Sequence, residues 1–294
     1  LQETVQWPGK EKSVPLMMLP LGILKGLSNI PNANQLELVP YFLAGGSDGL
    51  DTDLGIDVRY GLTSKTIVKA TFNPDFGQVE ADPSVLNLTA FETFYEEKRP
   101  FFSEGSDFFS QRINLFNSRR IGKRPNFYIP EEGEINGLSN YTTILGATKI
   151  MGSTTSNINY GIISAITKEE RATIDDSLSI RKTIVEPRTN YSIGRFEFPI
   201  FNTISKVGFM GTNVIRENAV GANVIGSDWN LSFLDNRLYS NGQIIRSNVN
   251  NTIGNAFRFN LGYLNSDWWS ARVWFGTSDD KFDINDLGFI RRNN

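Results

Sequence analysis

Through most of this chain apolar and polar residues alternate with a period of two, in segments of about ten residues divided by turn clusters. That is the pattern of β-strands with one apolar and one polar face. It is cleanest at 256–264 and 268–276, AFRFNLGYL and WWSARVWFG. Phe257, Phe259, Leu261 and Tyr263 fall on one face, Arg258, Asn260 and Gly262 on the other. Trp269, Ala271, Val273 and Phe275 likewise oppose Ser270, Arg272 and Gly276, and Asn265-Ser266-Asp267 joins the two segments as a hairpin. The same template fits 36–44, 53–61, 65–73, 141–151, 157–167, 188–198, 203–215 and, less cleanly, 226–247, which predicts on the order of eleven strands.

Two architectures satisfy such a pattern. A soluble sandwich hides its apolar face against a second sheet; a transmembrane barrel turns it to lipid and keeps glycine, asparagine and arginine inside. Spanning needs about nine to eleven tilted residues, whereas sandwich strands average about five or six, and these segments are the longer kind. Tyr263, Trp268, Trp269 and Trp274 gather at segment ends, and Tyr141 and Tyr191 open theirs, as interfacial girdles do. The expected fold is all-β: an antiparallel, transmembrane-type β-barrel, here partial, over residues 36–294. Residues 1–35, punctuated by Pro8, Pro15, Pro20 and Pro31, read as an irregular segment leading into it.

One stretch breaks the rhythm. Residues 71–105 carry seven carboxylates (Asp75, Glu80, Asp82, Glu92, Glu96, Glu97, Glu104) with Lys98, Arg99 and a run of aromatic rings. Thr89-Ala90-Phe91-Glu92 has the form of a capping box, predicting a helix over Ala90–Lys98 that Pro100 ends at or before Arg99. The acidic and aromatic insert, 74–105, is therefore expected to hold a short plug-like helical element near 83–105. In the structural reading its carboxylates, with Asp75, Glu92, Glu96 and Glu104 foremost, pair with Arg99, Arg112, Arg119 and Arg120. In an enzymatic reading two carboxylates flank a glycosidic bond, and Glu80, Asp82, Glu92, Glu96 and Glu104 all qualify by type. In a third, aspartates hold calcium, within this stretch, at Asp48, Asp51 and Asp53, or in the loop Asp279, Asp280, Asp283, Asp286; neither loop has the glycine and terminal glutamate spacing of a calcium loop.

Composition narrows the chemistry. With no cysteine and no histidine, nucleophile systems and zinc sites built on imidazole or thiolate are excluded, and so are disulfides. No cofactor is expected. A net charge of −3 and a pI near 5.3 argue against nucleic acid, so the basic run Arg119, Arg120, Lys123, Arg124 reads as a solvated loop or a partner for the acidic stretch. Mean hydropathy of −0.26 and a longest apolar run, 16–27, that is broken by Pro20 and Lys25 predict no transmembrane helix.

The stretch NPDFGQVEADPSVLNLTAFETFYEEKRPFFSEG resembles the core signature of a large family of bacterial outer-membrane proteins, the domain of unknown function numbered 5916. GLSNIP and LELVPY before it, LFNSRRIGK after it, then VEPRTNYSIGRF and FDINDLGFIRR match in order. The resemblance implies an outer-membrane location, with lipid and also envelope proteins or glycans as partners. It implies a layout in which a carbohydrate-binding-module family 9-like domain precedes a large barrel, so this chain is expected to be an internal fragment holding the first part of that barrel. The expected role is structural, in transport or in envelope assembly, without catalysis; the alternative is a carbohydrate-binding or glycoside-hydrolysing surface protein.

Overall fold

The computed structural model describes residues 35–45, 51–74, 96–128, 134–175, 180–202, 204–264 and 269–289. All belong to one compact unit, Asn34–Asn294. Fourteen strands are described: β1 (Leu36–Gly45), β2 (Asp51–Thr63), β3 (Thr66–Phe72), β4 (Glu134–Asn136), β5 (Ile144–Ser153), β6 (Asn159–Thr167), β7 (Glu170–Asp175), β8 (Ile180–Glu186), β9 (Thr189–Pro199), β10 (Lys206–Arg216), β11 (Ala222–Phe233), β12 (Leu238–Val249), β13 (Thr252–Leu264) and β14 (Ser270–Ser278). Eleven form one antiparallel sheet in the order β1-β2-β3-β5-β6-β9-β10-β11-β12-β13-β14, and β4, β7 and β8 form a small second sheet. The fold is thus all-β and antiparallel, as the alternation predicts. The large sheet is open rather than closed: among the described residues β1 and β14 are its two edges.

Several boundaries differ from expectation. The segment 226–247 is two strands, because Leu234, Asp235 and Asn236 all take positive φ (51°, 54° and 68°) and turn the chain between β11 and β12. The short strands β4, β7 and β8 were not foreseen. The helix expected to reach Lys98 does not: Glu96–Arg99 is non-helical, and Pro100 opens a helix instead of ending one. Pro100 sits in the first turn of α1 (Pro100–Ser103), where proline's fixed φ is pre-set for a helix and its missing N–H costs nothing. A second single turn, α2 (Ser106–Phe109), follows. The capping box at 89–92, the hairpin turn at 265–267 and the segment 1–34 lie outside the described residues.

The large sheet has two unlike faces. One is covered by the chain that runs from β3 to β5, called the insert below. Phe101, Phe102, Phe109, Leu115, Phe116 and Ile121 come from the insert, and Ile284 and Leu287 from after β14; all are buried against Ile163, Ile193, Met210, Val224 and Ile245 of the sheet. Burying each such ring or aliphatic side chain contributes about 1.5–3 kcal/mol. The other face is bare yet apolar. Phe209, Ile225 and Val273 are 51%, 62% and 63% exposed, and the rows given by strand register run Tyr160, Phe196, Phe209, Ser227, Ile244, Phe257 and then Phe198, Val207, Trp229, Gly242, Phe259, Phe275.

Close approach of insert to sheet needs a gap in the side-chain layer. Gly161 on β6 supplies it, since a Cβ there would stand 2.6 Å from the Phe109 ring and 3.0 Å from Phe108. Phe109 is itself buried and has nowhere to retreat. Gly161→Val is expected to destabilise the fold by about 1–3 kcal/mol through overpacking, with a second substitution, Phe109→Ala, recovering part of the loss. Denaturant unfolding of the single and double variants measures both terms; additive losses would contradict the contact.

Candidate functional site

The insert is built around one arginine. Glu96–Arg99 is extended, so Glu97 and Arg99, two residues apart, project the same way and meet; a helix would have turned them apart. Arg99 Nη2 donates to Glu97 Oε2 at 2.7 Å and Nε to Oε1 at 2.8 Å, a two-point contact whose partners are only 11% and 10% exposed. The same guanidinium donates to the carbonyls of Ile121 (2.8 Å) and Ser118 (2.7 Å) and covers the Phe102 ring at 4.3 Å. Ser118 Oγ donates to Glu97 at 2.5 Å. Arg99 thereby clasps residues 96–99 to the 3-10 turn Ser118–Arg120. Burial pushes the Glu97 carboxyl up, but Arg99's hydrogen bonds and charge, with Ser118, outweigh it and hold the group below the usual carboxylate range.

Cations on the sheet meet the insert's rings. Lys149 on β5 lies 5.1 Å from the Phe101 ring and donates to the carbonyls of Phe101 and, at 2.6 Å, Glu104. Arg195 on β9 lies 5.6 Å from Phe108 and donates to Asp228 on β11 at 2.8 and 3.1 Å. Arg216 at the end of β10 lies 4.8 Å from Phe127, donates to the Val220 carbonyl at 2.9 Å and pairs with Asp286. Two amides finish the seating: Gln111 donates to Asp228, and Gln243 both accepts from the Ile113 amide (2.9 Å) and donates to its carbonyl (3.0 Å).

The segment after β14 closes the far side. Asn117 N donates to Leu287 O at 2.6 Å, Phe289 N to Asn114 O at 2.8 Å, and Arg120 Nε to Gly288 O at 3.3 Å. The peptide amides of Asn126 and Phe127 both donate to the buried Glu186 at 3.1 Å. Burial lowers the pKa of Lys123 below the usual lysine range; the charge of Glu186 opposes this, and Arg120 and Arg216 reinforce it.

The sequence-predicted residues fall as follows. Arg99 pairs with Glu97. Glu104 pairs with Lys69 of β3, and Arg119 Nη1 donates to the backbone carbonyl of Glu96 at 2.9 Å. Asp75, Glu80, Asp82, Glu92 and Asp48 lie outside the described residues, as do the side chains of Asp51 and Asp53 on β2. In the 279–286 loop the carboxylates serve the fold: Asp279 accepts from Asn255 N at 2.7 Å, Asp283 from Asn285 N at 2.9 Å, and Asp286 holds Arg216. Among the described residues no three carboxylates are grouped to hold a metal ion. Lys69, Lys149, Arg195, Asp228, Gln243 and Glu186 were missed as site residues. Their signal was position: Lys149, Arg195, Asp228 and Gln243 occupy the polar phase of otherwise apolar strands.

The fold and site together define an all-β protein in which a long connection packs on one face of an open antiparallel sheet and leaves the other face bare. Comparison with curated proteins and with solved structures returns no match. A family model, the domain of unknown function DUF5916, matches residues 34–294, and the chain belongs to that family.

The Glu97–Arg99 clasp gives a pH dependence with a definite sign. A carboxyl depressed in the folded state contributes stability above its unfolded pKa, near 4.5, and that contribution is lost as pH falls through the lower folded value. Glu97→Gln is expected to lower stability at neutral pH and to flatten its fall between about pH 5 and 3. Arg99→Ala, which strands a buried carboxylate, is expected to cost about 3–5 kcal/mol. Unfolding midpoints measured across that pH range check both, and an acid limb unchanged in Glu97→Gln would remove Glu97 from the account.

Proposed function

We propose that this chain builds part of the wall of a bacterial outer-membrane β-barrel, with residues 96–128 held inside it as a plug-like element, and that the protein serves envelope transport or assembly. The observation that carries the reading is the inversion of the sheet. Buried cations, carboxylates and amides lie on the face that the insert covers, and exposed Phe, Ile, Leu and Val lie on the bare one. In water such a surface would be covered or would aggregate; against lipid it is the expected outer face.

Strand length and lateral banding support the same reading. Strands β9 to β13 have 11 to 13 residues, enough to span while tilted. Following the register, the bare face carries a polar row, Thr148, Ser164, Ser192, Asn213, Asn223, Asn248, at one border of the apolar field. Within that field aromatic side chains contact across strands, Phe198 with Phe209 at 6.0 Å and Phe257 with Phe275 at 6.1 Å. An apolar band bounded by polar residues suits a hydrocarbon layer bounded by headgroups.

Fractionation of cells expressing the full-length protein tests the location directly: it should sediment with outer membranes and resist extraction by alkaline wash. A paired substitution tests the face. Phe209→Arg, inside the apolar field, is expected to cost about 2–4 kcal/mol of folding stability in lipid, whereas Asn213→Arg at the polar border costs about 0–1 kcal/mol. On a water-facing surface both would stay within about 0.5 kcal/mol, so equal, small effects in refolding titrations would sink the lipid-facing reading.

A further inference from the structure

Beyond the tip of the insert its face of the sheet turns from apolar to charged. The register there runs Asn159, Glu197, Gly208, Asp228, Gln243, Arg258. A cavity of about 450 Å³ lies between this row and the insert residues Ser110, Gln111 and Arg112, with the amides of Asn230 and Asn241 also lining it. Gly208 keeps the floor open, because a Cβ there would stand 2.8 Å from both oxygens of Asp228.

The charges around this cavity do not balance. Both carboxylates are already answered: Arg195 donates to Asp228 and reaches Glu197 at 3.5 Å, and Lys206 donates to Glu197 at 2.9 Å. Arg112, exposed at the insert tip, and Arg258, beside Gln243 on β13, form no ion pair among the described residues. Arg112 and Arg195 line the cavity with Glu197 and Asp228, and Lys206 on β10 and Arg258 on β13 stand next to it, so the cations in and beside the cavity outnumber the carboxylates that line it by four to two. Below them Arg195 Nε and Gln111 Oε1 are buried without a partner, so the polar capacity of the floor is also unfilled.

We propose that this cavity binds a small anion carrying phosphate or carboxylate, with Arg112 of its lining as the group that recognises the charge and Arg258, next to Gln243, adding to the attraction. Guanidinium forks match both oxyanions in two-point geometry, and the neighbouring amides of Asn230 and Asn241 supply further donors. The excess cations draw such an anion toward the cavity through long-range attraction, and the already paired carboxylates leave less charge to repel it. The inference deepens the reading of this face as a barrel interior, yet the two fail separately: fractionation tests the membrane, binding tests the cavity.

The test titrates purified full-length protein in detergent with inorganic phosphate and, separately, with succinate, using calorimetry. Saturable binding of at least one anion is expected, weakened about tenfold or more in Arg112→Ala, the scale of a lost charge-assisted hydrogen bond, and by less in Arg258→Ala. Arg112→Lys should retain part of it, and added salt should weaken it. Circular dichroism establishes that each variant is folded; Arg112, exposed at the insert tip, carries the test should Arg258→Ala fail to fold. Stoichiometric headgroup phosphate that co-purifies with the wild type and is lost in Arg112→Ala would identify lipid as the source, and free-anion binding would identify a solute. Absence of both, or binding unchanged in folded Arg112→Ala and Arg258→Ala, overturns the proposal.

Discussion

Three cations on the sheet, Lys149, Arg195 and Arg216, are the constraint from which the rest follows, because none exposes more than 8% of its surface. A buried ion without partners is among the most expensive arrangements a protein can hold. Each of these is supplied with acceptors and an aromatic face, and most of what supplies them is not neighbouring strand but insert or the segment after β14. Phe101, Phe108 and Phe127 provide the rings; the carbonyls of Phe101 and Glu104, and the carboxylate of Asp286, provide the charge or dipole. Take the insert away and Lys149 loses both of its carbonyls and its ring, while Arg195 and Arg216 keep Asp228 and Asp286 but lose the rings that cover them. The insert is therefore a required half of the sheet's polar face rather than a loop laid over it.

That dependence draws together segments that are scattered along the sequence. LFNSRRIGK supplies Leu115, Ser118, Arg120 and Ile121; VEPRTNYSIGRF supplies Glu186, Tyr191 and Arg195; FDINDLGF supplies Ile284, Asp286 and Leu287. In space they meet. Arg99 reaches Ser118 and Ile121, Arg120 reaches Gly288, Asn117 reaches Leu287, and Glu186 accepts the amides of Asn126 and Phe127. The connection from β3 to β5 leaves the sheet at one strand and returns at the next, so its long excursion is closed by contacts rather than by topology. Ordering residues 96–128 costs conformational entropy at every residue, and the Arg99 clasp and the buried rings are what offset it.

Most of the sheet was legible from alternation alone, since strands with one apolar and one polar face announce both their extent and their phase. Phe257, Phe259, Leu261 and Tyr263 do share a face, and Arg258 and Asn260 share the other. Failures arose where local and distant signals compete. Pro100 reads as a stop after a helix, but the preceding Glu97 and Arg99 satisfy each other only in extended backbone, which makes the proline a start. The long segment 226–247 hides a turn because its positive φ values fall on Leu234, Asp235 and Asn236, with no glycine or proline to mark the place. Strands β7 and β8 are short and charged, and their pairing shows only in space. The ion pair between Arg195 and Asp228 was out of reach for a different reason: it depends on the register of β10, which lies between them.

Register is also what the two faces jointly enforce. A slip of one residue in β9 would carry Arg195 to the bare face and bring Phe196 beneath Phe108, exchanging every side chain of the strand at once. On one side the slip would lose the Asp228 pair and the ring contact; on the other it would set a guanidinium between Tyr160 and Phe209. Neither penalty needs the other, so register is specified twice. The glycines add a third condition, because Gly161 and Gly208 must lie where the insert's ring and the Asp228 carboxylate approach, and a slipped strand would offer Tyr160 or Ile162 in the first place and Val207 or Phe209 in the second. A sheet with a single buried face would rely on one of these conditions. Here the covered face, the bare face and the gaps between side chains agree on one alignment, which is why a sheet that is open at both edges among the described residues can still hold a defined pairing.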